Sequence, residues 1–312
     1  MADVYCTDSM KEYLASIDLI VFDIDGVLID TNTSFISTIV RTTQFYISDI
    51  LKVPADTESL TERDALMFKQ FTGFNNDWDL TTGMVTYVLY KYTTANHTVT
   101  LASFLRDVDK KGGGLSGIER VLAEEADSAR LKWIYENVDS DLIRSIFQEF
   151  YAGNKYCEPL YGFTPKFFDG PGSIETEVVL INTELLSKWR GKIGILTGRM
   201  ENETRVALDM VRLSAIDPGF VEFTDYILPD KPDPAKIVRI LENTGSLKAL
   251  FIGDSIDDYL TVVNFQNMKL PKMLQFGLIS DSRDNHPAGA QKFRAAGVND
   301  MLTFILDIHH VS

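Results

Sequence analysis

The sequence predicts an open α/β fold: a mostly parallel sheet flanked by helices, with a large helical insertion after its first strand. Three observations carry this. Four short apolar runs each end in polar or glycine residues, as strands buried on both faces of a sheet do. Helical patterns separate the later runs, giving strand–helix–strand units with right-handed crossovers. The stretch between the first two runs, residues 31–190, has almost no strand pattern.

The first strand is "IDLIVFDID" (17–25). The insertion then reads as helices in "SFISTIVRTTQFYISDIL", "TTGMVTYVLYKYT", "GIERVLAEEADSARLKWIYENV" and "SDLIRSIFQEFYAG". Within it, "KKGGGLSG" (110–117) follows no strand, so it reads as a flexible loop rather than a phosphate cradle, and "DGPGS" (169–173) reads as a turn near the return to the sheet. The second strand is "GKIGILTGR" (191–199), followed by a helix over 200–214 with Val206, Met210 and Leu213 on one side. "FTDYILPD" (223–230) is a possible further strand. The helix over 233–245 opens on Asp-Pro and stops at a glycine, as helix boundaries often do. The strand "LKALFIGDS" (247–255), the helix "DDYLTVVNFQNM" (257–268) and the strand "MLQFGLISD" (273–281) follow, and the tail 281–312 completes the sheet and adds a last helix. This divides the chain into an α/β core over 1–30 and 185–312 and a helical domain over 31–184.

Composition limits the functions. A chain of 312 residues with 45% apolar content can bury a sizeable core. A formal net charge of −15 argues against binding nucleic acid or an acidic membrane through bulk electrostatics. A phosphorylated small molecule is still compatible, because a bound cation reverses the local field. No apolar run is long enough to span a bilayer, and "MADVYCTDSMKEYLAS" lacks the continuous apolar stretch of a signal peptide. A cytoplasmic protein is expected, with Cys6 and Cys157 as free thiols, the Asn96-His97-Thr98 sequon incidental, and His309 and His310 on the surface. Oligomeric state is not readable.

The chemistry lies at strand ends, where open α/β sheets bind ligands. Asp23 and Asp25 follow the first strand, Thr197 ends the second, Lys231 precedes the helix over 233–245, and Asp254, Asp257 and Asp258 follow "LFIG". Singly, such an aspartate is a turn or helix cap, the threonine an N-cap and the lysine a solvated side chain. Together they suit phosphoryl chemistry. A carboxylate can attack a phosphoryl group and carry it as an aspartyl phosphate. It repels its anionic substrate, so it needs a hard cation with oxygen ligands, such as Mg²⁺. Asp23 and Asp254 suit that site.

In this order and on these elements, "DIDGV", "LTGR", "DKPDP" and "GDSIDD" resemble the four motifs of the haloacid dehalogenase (HAD) superfamily, over about half the chain. The resemblance implies a Rossmann-like core with a helical cap and a Mg²⁺-dependent phosphomonoester hydrolase acting on a small phosphorylated metabolite. It implies Asp23 as nucleophile and Asp25 as general acid and base. It also implies Lys231 as fixed positive charge, and Thr197 with neighbouring backbone N–H groups as donors to phosphoryl oxygens. The metal residues would be Asp23, Asp254 and Asp25 through its carbonyl, with Asp258 rather than Asp257 in support. Gly198 would lie at the substrate and Arg199 at the substrate or the cap, although a surface or helix-end role for Arg199 is equally open.

Asp25 argues for phosphate esters, since the carbon–halogen and phosphonate branches lack an aspartate there. "DIDGV" and "KPDP" resemble the subfamily of phosphoglycolate phosphatase and β-phosphoglucomutase, whose cap follows the first motif. "FKQFTGFNNDWDLT" (68–81) resembles the "GFNDDW" element of a phosphatase branch described as related to histidinol-phosphate phosphatases. Asn75, Asn76 and Trp78 would then face substrate. An Asx-turn and helix cap with Trp78 in the cap core is the other reading. A phosphomutase and a catalytically inert binding module are the alternatives to a phosphatase.

Overall fold

The computed structural model describes residues 4–54, 60–74, 76–94, 99–225, 227–280 and 286–311. Asn75 and the 96–98 sequon lie outside the described residues. The chain forms two units, Met1–Thr31 with Val178–Ser312, and Asn32–Glu177.

Among the described residues the first unit holds nine strands: β1 (Tyr5–Cys6), β2 (Leu19–Phe22), β3 (Ile29–Asp30), β4 (Val178–Val179), β5 (Lys192–Met200), β6 (Val221–Thr224), β7 (Lys248–Gly253), β8 (Met273–Ile279) and β9 (Phe293–Ala295). Seven of them form one sheet in the order β1-β9-β8-β7-β2-β5-β6. All neighbours are parallel except β1 on β9. β2 is central because all four of its residues are apolar and buried. It pairs Leu19–Phe22 with Lys192–Ile195 on one side and Ala249–Ile252 on the other. Side chains alternate across a sheet. Ile20 and Phe22 therefore pack with Leu208, Met301 and Ile305, and Leu19 and Val21 with Ile237, Ile240 and Phe265. Each such side chain contributes roughly 1.5–3 kcal/mol on full burial. From β2 the order runs outward to β5 and β6 on one side and to β7, β8 and β9 on the other. The carboxyl end of β2 thus stands at the switch point, where this architecture forms its crevice.

The possible strand over 223–230 is β6, which starts two residues earlier and stops at Thr224. The Asp225 carboxylate accepts from the Ile227 and Leu228 N–H groups, and this Asx turn ends the strand. The helix expected over 200–214 spans Glu201–Met210. It ends early because Arg212 takes a positive φ of 57° and the Leu213 N–H donates to the Leu208 carbonyl. β3 and β4 pair antiparallel, and the Leu180 N–H donates to the Leu28 carbonyl at 2.9 Å. These bonds hold 178–184 in the first unit, whereas the sequence reading began that unit's return at 185. His309 is not a surface residue: its ring is half-buried and meets Trp189 edge-on, with centroids 4.9 Å apart.

The second unit is helical. Helix Asn32–Phe45 runs into a π turn, Tyr46–Ile50. Glu62–Lys69, Asp77–Thr93, Leu101–Lys110, Gly114–Glu125, Ser128–Asn137 and Ser140–Tyr161 follow. The single pattern over 117–138 is two helices, because the Asp127 carboxylate accepts from the Ala129 and Arg130 N–H groups and starts a new one. The glycine run at 112–114 is not a loose loop. Gly113 has φ 74°, and a Cβ there would come within 2.3 Å of the Thr72 carbonyl oxygen. Gly114 N–H donates to that same carbonyl at 2.9 Å. Among the described residues, no helix is long and apolar enough to cross a membrane.

Gly153 breaks the long helix Ser140–Tyr161 with φ 59°, ψ −168°. A Cβ there would lie 2.1 Å from the Gly172 nitrogen. Backbone meets backbone, so no side-chain movement relieves the clash. Gly153→Ala is expected to destabilise the protein by about 3 kcal/mol, read as a lower denaturant midpoint at unchanged slope; an unchanged midpoint would contradict this packing.

Candidate active site

Asp23 is the first residue past β2. Its N–H donates to the Ile252 carbonyl at 2.9 Å, carrying the ladder one residue beyond the strand and fixing the carboxylate's direction. The residue is 5% exposed. Burial pushes its carboxyl well above the ordinary range, Lys231 pulls it down, and Asp258, Asp25 and Asp254 push it up again.

Lys231 stands between two carboxylates. Its Nζ lies 3.1 Å from Asp23 Oδ1 and 2.6 Å from Asp258 Oδ1. The second contact is a hydrogen bond. The first is an ion pair without hydrogen-bond alignment, which leaves Asp23 Oδ1 buried with no donor aimed at it. Burial lowers the lysine pKa, but Asp23 and Asp258 more than offset this and hold it above the ordinary value.

Asp258 is fully buried and its two oxygens are both engaged. Oδ1 takes Lys231, and Oδ2 accepts from the Ser255 N–H at 3.2 Å and the Ser255 hydroxyl at 2.7 Å. Ser255 Oγ in turn accepts from the Asp258 N–H, closing a capping box at the start of helix Ile256–Asn267. The sequence reading passed over Ser255. Its signal was present as a serine three residues before an aspartate at a helix start. A Cβ on Gly253 would sit 2.5 Å from Asp258 Oδ2, so that glycine makes room for the carboxylate.

Asp254 follows β7. Burial, then the neighbouring Asp258, push its carboxyl up to about 7. Asp257 is also raised, chiefly by burial and Asp258. Gly26, at φ +71°, lets the 24–29 turn pass over Asp254, since a Cβ there would fall 2.0 Å from Asp254 Oδ2. Carboxylate oxygens of Asp23, Asp254 and Asp258 can all lie within 4.8 Å of one another. Among the described residues these three form the acidic group able to hold a metal ion. Three carboxylates against one ammonium leave excess negative charge in a buried place. Hard oxygen donors in that balance fit a hard divalent cation. The Asp25 side chain is outside this trio.

Asp25 Oδ1 accepts from Arg199 Nε at 2.9 Å and Nη2 at 2.8 Å. Arg199 is 4% exposed. β5 continues through Met200 and aims Arg199 inward at Asp25, so its side chain is buried and not on the surface. Thr197 is buried, and its hydroxyl oxygen accepts from the Arg199 N–H at 3.2 Å. Gly198 is exposed, and its carbonyl accepts from the Thr224 hydroxyl at 3.0 Å.

The remaining residues of interest lie in the helical unit. Asn76 Oδ1 accepts from the N–H groups of Trp78 and Asp79, capping helix Asp77–Thr93. Trp78 is half-buried, with the Arg144 guanidinium 4.7 Å from its ring centre. Asn76 thus caps a helix, while Trp78 is not among the fully buried core residues.

The raised Asp254 carboxyl has a sign. Its folded pKa exceeds the unfolded value, so it contributes stability that is present below about pH 4 and lost as pH rises through about 7. Metal-free protein at pH 8 therefore carries a penalty that a neutral isostere removes. With chelator at pH 8, Asp254→Asn is expected to unfold at a higher temperature than wild type, by about 2–4 kcal/mol in stability, and added Mg²⁺ is expected to stabilise wild type more than the variant. Equal melting of the two metal-free proteins at pH 8 would count against a crowded carboxylate site.

No family model matches the chain, and no curated protein matches it significantly. Solved structures do. Phosphatase Tt82 from Thermococcus thioreducens is 22% identical with a TM-score of 0.66, over 93% of this chain and 99% of its own. A structural-genomics target of unstated activity is 17% identical with a TM-score of 0.58, over 84% and 90%. A HAD-superfamily hydrolase of subfamily IA from Geobacter sulfurreducens is 15% identical with a TM-score of 0.46, over 93% and 96%. At these identities the likeness is one of fold alone, a mostly parallel α/β sheet joined to a helical unit.

Proposed function

We propose that this chain, built on the HAD fold, is a Mg²⁺-dependent phosphomonoester hydrolase that works through a phosphorylated Asp23. One observation carries the reading. At the carboxyl end of the central strand stands a buried aspartate, Asp23, with an ammonium 3.1 Å away and two further carboxylates close enough to share a metal with it. A structural ion pair needs one partner. A cluster with more acid than base needs a cation, and a cation beside a nucleophilic carboxylate is what an anionic substrate requires.

When bound, the cation supplies charge neutralisation for the phosphoryl oxygens and holds the phosphorus in line with the attacking oxygen. Asp23 and Asp254 would hold it, with the Asp25 carbonyl, while Asp258 holds Lys231 and stands in support. One oxygen of Asp23 attacks phosphorus, an O–P bond forms, and the ester O–P bond breaks. Asp25 gives the leaving oxygen its proton. Arg199 holds Oδ1, so Oδ2 is the atom that moves the proton. Water then attacks the phosphorylated Asp23, Asp25 Oδ2 takes its proton, and the aspartyl O–P bond breaks to release phosphate. The first step leaves Asp25 in the state that the second requires. Thr197 would donate its hydroxyl hydrogen to a phosphoryl oxygen, its oxygen being held by the Arg199 N–H. The substrate is a small phosphorylated metabolite. The intact set of Asp23, Asp25, Lys231 and Asp254 speaks against an inert binding module.

The test is phosphate release from a panel of small phosphomonoesters, with and without Mg²⁺. Wild type is expected to turn over only with the metal, and Asp23→Asn to lose on the order of a thousandfold or more in kcat. Asp25→Asn is expected to accumulate phosphoryl label on Asp23, seen by mass spectrometry. Undiminished turnover by Asp23→Asn would overturn the assignment.

A further inference from the structure

We infer that Lys236 is a positioning residue for Lys231, acting through the loop that joins β6 to it; the inference rests on the function proposed above. Lys236 lies in the first turn of helix Ala235–Thr244 and is 1% exposed. A lysine buried to that degree must have its charge answered. Here every answer comes from the end of β6 and the loop that follows it. Its Nζ donates to the Phe223 carbonyl at 2.7 Å and to Asp230 Oδ1 at 2.5 Å, and lies 3.6 Å from Asp225 Oδ1. Asp225 and Asp230 thereby both face a buried ammonium, and the next residue is Lys231.

Asp230 is the pivot. The oxygen that Lys236 holds lies 3.0 Å from the Thr224 hydroxyl, and that hydroxyl lies 3.0 Å from the carbonyl of Gly198, the residue before Arg199. The Asp230 carbonyl accepts from the Asp233 N–H at 2.9 Å. So the position of Lys231 is referred to β5, to β6 and to the following helix through one side chain. Arg239, one turn further on, holds Glu222 with two nitrogens and lies 3.5 Å from Asp225, closing the far side of the loop.

Lys236 touches neither Asp23 nor Asp258, and the two lysines answer different carboxylates: Asp225 and Asp230 for Lys236, Asp23 and Asp258 for Lys231. Removing the buried ammonium leaves two loop carboxylates facing each other and an unpaired carbonyl. The loop then moves outward, and Lys231 no longer holds its place between Asp23 and Asp258. A displacement of about 1 Å at a reacting centre costs on the order of 100-fold in rate.

The experiment is a mutant cycle on phosphatase activity with Mg²⁺, using Lys236→Met, Lys231→Met, the double variant and Asp23→Asn, with melting temperature measured on each. Lys236→Met is expected to lower kcat by roughly 10–100-fold. In the double variant the activity loss is expected to equal that of Lys231→Met alone, while the two losses of melting temperature add, because a residue that acts through Lys231 has nothing left to position. Asp230→Ala, on the exposed side of the same contact, is expected to show the same non-additivity and keeps the test open should Lys236→Met not fold. Multiplying activity losses, or a Lys236→Met or Asp230→Ala enzyme with more than half of wild-type kcat, would sink the inference while Asp23→Asn is inactive. An active Asp23→Asn enzyme would instead sink the function on which it rests.

Discussion

The site depends on a buried ammonium shared between two carboxylates. Lys231 contacts Asp23 and Asp258 in a place that excludes most water. Desolvation disfavours all three charges, and their mutual attraction offsets it only while the geometry holds. Much of the neighbouring structure serves that geometry. Gly253 clears space for Asp258, Ser255 saturates its second oxygen, and Gly26 lets a turn cross Asp254 without a clash. A sheet edge holding one more ion pair would not need these provisions.

The same electrostatics link the resting protein to its chemistry. Asp23 and Asp254 are both raised by burial and crowding, so in the absence of metal each binds a proton more tightly than a free aspartate would. A divalent cation competes for those oxygens, and its binding expels the protons. In the proposed reaction, the cation that neutralises the substrate would also free the carboxylate that attacks phosphorus. The site is unstable alone and stable when loaded, a common condition of catalytic clusters.

Arg199 gives the acid–base residue a fixed orientation. Two of its nitrogens grip one oxygen of Asp25, and the strand that carries Arg199 also carries Thr197. Alternation along β5 sends both side chains inward and leaves Gly198 between them on the exposed side. One extended segment therefore carries both Thr197 and the arginine that holds Asp25, two groups that the proposed mechanism uses. Lys236, in the role proposed for it, holds by charge the loop that leaves the neighbouring strand β6.

The local sequence by itself determined the buried parallel strands β2, β5, β7 and β8 and the residues at their carboxyl ends, but not the short strands β1, β3 and β4. Runs such as "LIVF" and "ALFIG" are too apolar to stand anywhere but inside a sheet, and the polar residues after them are forced to its edge. It determined the helices where apolar spacing was regular and stopped them correctly at Gly245. What it could not decide was which polar group meets which. The pairing of Arg199 with Asp25, of Lys236 with Asp225 and Asp230, and the placing of His309 against Trp189 join residues on separate elements, and no local pattern records such distances. The end of β6 at Thr224 was missed for the same kind of reason: a side chain, Asp225, claimed the backbone donors that a seemingly continuous strand would have used. The close packing of the glycines at 112–114 against Thr72 was equally hidden, because a glycine needed for close approach looks in sequence like one needed for freedom. Apolar patterning acts through burial, which depends on each residue's own character. Polar partnership depends on direction and distance, which only the assembled tertiary structure sets.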